Sequence, residues 1–273
     1  MPEFLGQSIS LAALTVLEVS PLEGVRIAAS CGYTHIGLRP VAATPDEPHF
    51  PILADRNLSD ELARTLSGEG IGVLDVEIVR LLPEMDWDLL GKVLDFAPRF
   101  SATRLLVADN DPEYARCRDS LAELAARAAP YGVTPHLEFM PWTCAPNLEA
   151  AQSRIDGIDN CRLLIDAFHL ARSGGKPEDV AQGDPSVGYV QLCDIAGPIP
   201  PMDAILREAR SDRLFPGEGE IDLITLLRRV PDLPLSLEVP ADRLRDSGHD
   251  AHSRANMAMQ HTLTVLERAR AAG

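Results

Sequence analysis

The sequence predicts an α/β fold, a single (β/α)8 TIM barrel that takes up the whole of residues 1–273. Three observations carry that expectation. Eight short apolar runs that read as strands alternate with helical patterns, recurring about every 25 to 40 residues, the length of one βα unit. Alternation of this kind means parallel strands joined by right-handed crossovers. The length is also right, since one such barrel takes about 250 residues. Finally, four of the later runs carry a polar residue at the same end: Glu138, Asp166, Gln191 and Glu238. Eight units favour a closed barrel over an open doubly wound sheet. The GxGxxG turn that would follow the first strand of a dinucleotide-binding domain is absent.

Taken in order, the first strand is expected at 9–14. Ser20-Pro21-Leu22-Glu23 then opens a helix, with Ser20 as cap, Pro21 at the first helical position and Glu23 where a capping box wants its acid. Gly32 stops that helix, and strand two follows at 34–38. Residues 41–57 hold three prolines and no helical period, so they read as a long loop at the end of a barrel that carries active sites. A helix is expected at 59–69, and a third strand at 72–79 in which Asp75 and Glu77 alternate with apolar residues. Further helices are expected at 89–100 and 112–129, with strand four at 104–107 between them. Strand five carries Glu138, and Asn147 caps the helix after it. Strand six carries Asp166, and residues 171–186 hold a short helix between Gly-rich breaks. Strand seven carries Gln191, followed by helices at 202–210 and 223–229. Strand eight carries Glu238, and a helix at 253–271 follows it.

Composition narrows the function classes. Hydrophobic residues make up 45% of the chain, ample for one core, yet no run approaches the roughly 18 apolar residues of a membrane span. Residues 1–10 lack the basic-then-apolar pattern of a secretion signal. The five cysteines are widely spaced with no CxxC pair, which points to reduced thiols in a cytoplasm and not to a disulfide framework or a zinc site. A net charge of −16 repels nucleic acid and anionic membrane. The expected partner is a small molecule, and a homo-oligomer remains open.

The four polar strand ends carry the chemistry. Carboxylates are almost never fully buried unless paired or bound to a cation. At the mouth of a barrel the C-terminal ends of neighbouring strands converge, so Glu138, Asp166, Gln191 and Glu238 can meet although they are far apart in sequence. Three carboxylates and an amide oxygen form an all-oxygen shell suited to one Mn2+ or Mg2+ per chain. Such an ion polarises a carbonyl, acidifies the neighbouring C–H and stabilises the enediolate. Glu138, Glu238 or His169, three residues after Asp166, can serve as the base.

In this order and spacing, the stretches His136–Phe139, Leu163–His169, Tyr189–Asp194 and Leu235–Pro240, with the PGEGEID segment at 216–222, resemble the sugar phosphate isomerase/epimerase superfamily, the xylose-isomerase-like TIM barrels. The resemblance spans nearly the whole chain. It implies a metal held by Glu, Asp, His and Glu on strands five to eight, which fall here on Glu138, Asp166, Gln191 and Glu238. Gln191 stands where His is usual. A Gln there is similar to the dehydratase branch, including 3-dehydroshikimate dehydratase and inosose dehydratase, for which a histidine shortly after the strand-six aspartate is implied as acid/base. His169 matches it.

The expected function is therefore metal-dependent isomerisation or epimerisation of a sugar-like polyhydroxy carbonyl compound. Dehydration of a cyclic hydroxyketone is the close alternative, and a non-catalytic barrel acting as a partner subunit the more distant one. A DNA-repair endonuclease of the related barrels would need a basic face and more histidine ligands. Arg39, Arg172 and Arg243 are candidates to hold a substrate carboxylate or phosphate. Glu77 is a candidate for substrate hydroxyls and Trp142 for the cavity wall. His136 shares a strand face with Glu138 and is a candidate to support it.

Overall fold

Eight parallel strands hydrogen-bond in chain order and close with β8 against β1 into a barrel. The structure is a computed structural model and describes residues 7–44 and 47–271. The segment read against a secretion signal and the tip of the 41–57 loop thus lie partly outside the described residues. The strands are β1 (Ile9–Leu11), β2 (His35–Leu38), β3 (Gly72–Leu81), β4 (Arg104–Asp109), β5 (Thr134–Glu138), β6 (Arg162–Asp166), β7 (Val187–Leu192) and β8 (Leu235–Leu237). The helices are α1 (Pro21–Ser30), α2 (Arg56–Glu69), α3 (Trp87–Phe96), α4 (Tyr114–Ala128), α5 (Leu148–Ile155), α6 (Ala167–Arg172), α7 (Met202–Ser211), α8 (Leu223–Arg229), α9 (Asp242–Asp246) and α10 (Ala251–Ala271). The main apolar core packs helices against strands, with Leu62, Leu121, Leu124 and Leu226 fully buried.

Local chemistry sets the boundaries. Ser20 accepts a hydrogen bond from the Glu23 N–H and Pro21 begins α1. α2 starts earlier than the expected residue 59, because Asp55 accepts from the Asn57 and Leu58 N–H groups and caps the helix there. β1 is shorter than expected: after Leu11 the chain turns into a 3-10 segment, where the Thr15 hydroxyl donates to the Leu237 carbonyl (2.8 Å) and accepts from the Val239 N–H (2.8 Å). α6 and α9 were not expected as helices where they stand. They are six and five residues long, too short to show a period.

Register delivers the strand ends to one place. Asp166 pairs with Gln191 and Gln191 with Ser236, and Glu238 follows two residues later. Residues two apart on a strand share a face. The barrel interior therefore also takes Asp75, His136, Tyr189 and Ser236, each two residues before Glu77, Glu138, Gln191 and Glu238. All four are buried, and the Tyr189 hydroxyl donates to Asp75 Oδ2 across the barrel at 2.8 Å.

The PGEGEID segment has a structural task. Buried Asp194, just past β7, accepts from the N–H groups of Ile195 (2.9 Å), Gly217 (3.0 Å) and Ile221 (3.0 Å). This ties the segment to the exit of β7. A Cβ at Gly219 would press on the Ile195 carbonyl and the Asp194 carboxylate, so only glycine fits.

Candidate active site

Glu138 ends β5, Asp166 ends β6, Gln191 lies near the end of β7, and Glu238 follows β8. All four are buried and meet at the C-terminal mouth. Asp166 also caps α6, its Oδ1 accepting from the Phe168 (2.6 Å) and His169 (3.3 Å) N–H groups. That cap places His169 one turn into α6, with Nε2 at 3.5 Å from Glu138 Oε1 and 3.9 Å from Asp166 Oδ2. One ligand atom each of Glu138, Asp166 and His169 lies within 4.8 Å of the other two.

Between these groups stands an arginine that the sequence reading missed. Arg213 is buried and forks between Asp166 Oδ2 (Nη1, 2.7 Å) and Glu238 Oε2 (Nη2, 2.8 Å). Its Nε donates to the Ala209 carbonyl at 3.0 Å and its guanidinium lies 4.7 Å from the Phe168 ring centroid. It comes from the irregular segment after α7, which offers no periodic pattern. The available signal was a lone Arg beside Leu214-Phe215 just before the PGEGEID turn.

The electrostatics call for a further cation. Burial and the neighbouring Glu238 and Asp166 carboxylates push Glu138 well above the usual carboxylate range. Burial pushes Glu238 up to about 7, with Arg213 opposing. Asp166 also feels burial, but Arg213, His169 and its backbone hydrogen bonds hold it low. With all three carboxylates ionised, one guanidinium leaves two negative charges, which one divalent ion would neutralise.

The Gln191 amide makes the same point. With its nitrogen donating to Glu238 Oε1 at 3.4 Å, its oxygen faces Glu138 Oε1 and Asp166 Oδ2. Three acceptor oxygens then converge, an arrangement that a cation between them would satisfy. Rotated half a turn, the nitrogen donates to Glu138 Oε1 (3.0 Å) and Asp166 Oδ2 (3.2 Å), the arrangement suited to a metal-free ring. The residues present fit a hard divalent ion.

Above the ring opens a cavity of about 270 Å³, lined among others by Glu138, His169, Glu238, Trp142, Arg39 and Arg80. Trp142 meets the His169 ring edge-on at 5.0 Å between centroids. His169 is buried, which lowers its pKa to about 4, and its Nδ1 has no hydrogen-bond partner.

The other expected substrate contacts divide. Arg39 lines the cavity but is engaged by Glu77 (2.8 Å) and Glu47 (3.4 Å). Glu77 does not line the cavity; besides Arg39 it accepts from the Ala13 N–H at 3.2 Å. Arg172 is corrected: it is buried on α6, forked onto Glu208 and bonded to the carbonyls of Ala196, Gly197 and Pro198, so no donor is left for substrate. Arg243 is corrected as well: its side chain is 86% exposed, bonds Asp212 at 3.1 Å and stands outside the cavity. Two arginines that the reading did not single out, Arg80 and Arg210, line the cavity.

His136 stands beneath the ring, its Nδ1 at 2.8 Å from the Thr134 carbonyl and its ring against Tyr189 at 5.1 Å. Burial lowers its pKa to about 3. Between the ordinary histidine value of 6.5 and about 3, the unfolded chain binds a proton that the folded chain refuses. Its contribution to stability is complete above pH 6.5 and declines by up to about 1.4 kcal/mol per pH unit on acidification. Melting temperatures from pH 7 to 4.5 should therefore fall less steeply for His136→Gln than for the wild type. Parallel curves would remove His136 from the acid response.

Comparison with known proteins places the fold among relatives. The chain is 35% identical over 160 residues to the 3-dehydroshikimate dehydratase of Pseudomonas aeruginosa, covering 55% of this chain and 24% of that protein. It is 30% identical over 131 residues to the inosose isomerase of Bacillus subtilis, covering 46% of each. The matches thus span about a quarter and about half of these relatives' lengths. Among solved structures, the IOLI protein with a bound zinc atom superposes with a TM-score of 0.78 at 21% identity, covering 96% of this chain and 99% of that one. The family model of the xylose isomerase-like TIM barrel matches residues 25–264. The closed eight-stranded barrel and this match agree: the chain belongs to the xylose isomerase-like TIM barrel family.

Proposed function

We propose that this chain is a divalent-metal-dependent enzyme that takes a proton from the carbon beside the carbonyl of a small polyhydroxy compound and then expels a hydroxyl, making it a dehydratase of a cyclic hydroxyketone. The observation that carries the reading is the convergence of Glu138, Asp166, Gln191 and Glu238 with His169 under one cavity. The four oxygen-bearing residues would hold the ion, with Mn2+ or Mg2+ the best match to oxygen donors. When bound, the ion supplies Lewis acidity to the substrate carbonyl and so acidifies the adjacent C–H.

The chain's own groups do the rest. His169 is uncharged near neutrality and lines the cavity, so its imidazole can accept the proton from carbon. Trp142 holds the ring edge-on and fixes the direction of approach. Having taken that proton, His169 can hand it to the departing hydroxyl, with Glu238 facing the same cavity. One C–H and one C–O bond break, a C=C bond forms, and water leaves. Arg213 holds the Asp166 and Glu238 carboxylates in place throughout.

The dehydratase reading is supported by Gln191 in the ring and by the resemblance to 3-dehydroshikimate dehydratase. Isomerisation is the second reading. It is favoured by the two glutamates, Glu138 and Glu238, that enter the cavity from separate strands and can exchange a proton with one substrate, and by the resemblance to inosose isomerase. A substrate panel of 3-dehydroshikimate, inososes and ketoses, run with the Mn2+-loaded protein, separates the two. A chelator-sensitive rise in enone or aromatic absorbance is the expected result. Ketose interconversion without that rise would establish the isomerase instead, and no turnover on the panel would overturn both.

A further inference from the structure

Six arginines line the cavity of a chain that carries 41 acidic against 25 basic residues. Four of them are neutralised by carboxylates. Arg39 pairs with Glu47 and Glu77, Arg213 with Asp166 and Glu238, Arg245 with Asp242 and Asp246, and Arg254 with Glu18. Arg80 and Arg210 differ. Among the described residues, the only side-chain partner of Arg80 is the neutral Asn110 Oδ1 at 3.0 Å. Arg210 has no side-chain hydrogen bond or ion pair among them. Acids are plentiful in this chain, so two unpaired guanidinium groups in one cavity need a reason.

Their positions supply one. Arg80 is the penultimate residue of β3 and Arg210 lies in the last turn of α7, and both border the cavity that Glu138, His169 and Glu238 enter. Burial lowers the pKa of Arg80; the Glu138 carboxylate across the cavity opposes that fall, and the charges of Arg210 and Arg39 add to it. Two like charges that border one cavity make a site for an anion, and the planar guanidinium fork matches an oxyanion.

We propose that Arg80 and Arg210 bind an oxyanion, a carboxylate or a phosphate, carried by the substrate, so that the cavity selects acidic hydroxyketones over neutral ones. The proposal rests on the reading of the cavity as the site of a small hydroxyketone, but its test needs no turnover. Arg80 and Arg210 thereby take the task that the sequence suggested for Arg172 and Arg243.

Binding of matched probes to the Mn2+-loaded protein tests this, read by calorimetry. One pair is 3,4-dihydroxybenzoate and catechol, which differ by a carboxylate. The other is dihydroxyacetone phosphate and dihydroxyacetone, which differ by a phosphate. Each pair shares its remaining oxygens, and the arginine variants separate binding of the anion by Arg80 and Arg210 from its attraction to the ion. At least one anionic probe should bind about tenfold or more tighter than its neutral partner. The pair that shows the preference identifies the group. Arg80→Met and Arg210→Met should each remove most of that preference while leaving the neutral probe unchanged, and Arg80→Lys should restore part of it. No preference in either pair, or a preference that survives both methionine variants, would overturn the proposal. A retained anion preference with no dehydration or isomerisation on the substrate panel would instead count against the proposed reaction alone.

Discussion

Replacing Glu238 with glutamine should lower turnover by about a thousandfold or more while the barrel still folds. The substitution keeps the shape and removes the charge. It takes away one of the three carboxylates that would hold the ion and the ion-pair partner of Arg213 Nη2. The fold has little stake in that charge, because Arg213 keeps Asp166 and the Ala209 carbonyl. Circular dichroism should therefore match the wild type while kcat collapses on whichever panel substrate the wild type accepts. Unchanged turnover would take Glu238 out of the chemistry.

Arg213→Met should have the largest effect on stability. It strips the only guanidinium from between Asp166 and Glu238 and leaves two buried carboxylates facing each other and Glu138. Removing one partner of a buried ion pair costs about 3 to 5 kcal/mol, because the other charge stays buried without compensation. For a chain of this size that is a fall of roughly 10 °C in the melting temperature of the metal-free protein. Saturating Mn2+ should recover part of the loss, since the ion supplies the missing positive charge. Arg213→Lys should fall between the two, because an ammonium cannot fork onto both carboxylates as the planar guanidinium does. A melting temperature equal to the wild type would mean that Arg213 is not compensating the ring.

Much of this architecture could be read from residues alone, for a physical reason. A buried strand that ends in a carboxylate breaks the rule that charges avoid the interior, and that violation is visible without coordinates. Three such violations, with the Gln191 amide at the matching place on strand seven, locate the barrel mouth. The alternation rule extends the insight one step further. Asp75, His136, Tyr189 and Ser236 each precede a residue of the mouth by two positions, so the polar barrel interior was open to the same reasoning, although only His136 was read that way.

What escaped lies off the regular elements or depends on pairing. Arg213 stands on an irregular segment, and no period reveals that its side chain turns inward. Arg172 and Arg243 looked like substrate ligands because each follows a strand that contributes to the site. Only coordinates show that Glu208 and three backbone carbonyls occupy the first and that the second points to solvent beside Asp212. Arg80 and Arg210 present the converse case. Their distinction is that, among the described residues, no carboxylate is hydrogen-bonded or ion-paired to them, which is a property of three-dimensional neighbours and has no signature in sequence order.

The central claim is that Glu138, Asp166, Gln191 and Glu238 hold one divalent ion. Its most direct test is a calorimetric titration of chelator-stripped protein with Mn2+. The wild type should bind about one ion per chain, and the double variant Glu138→Gln with Glu238→Gln should bind none at that site. No binding to the wild type, or the same stoichiometry and affinity in the double variant, would contradict it.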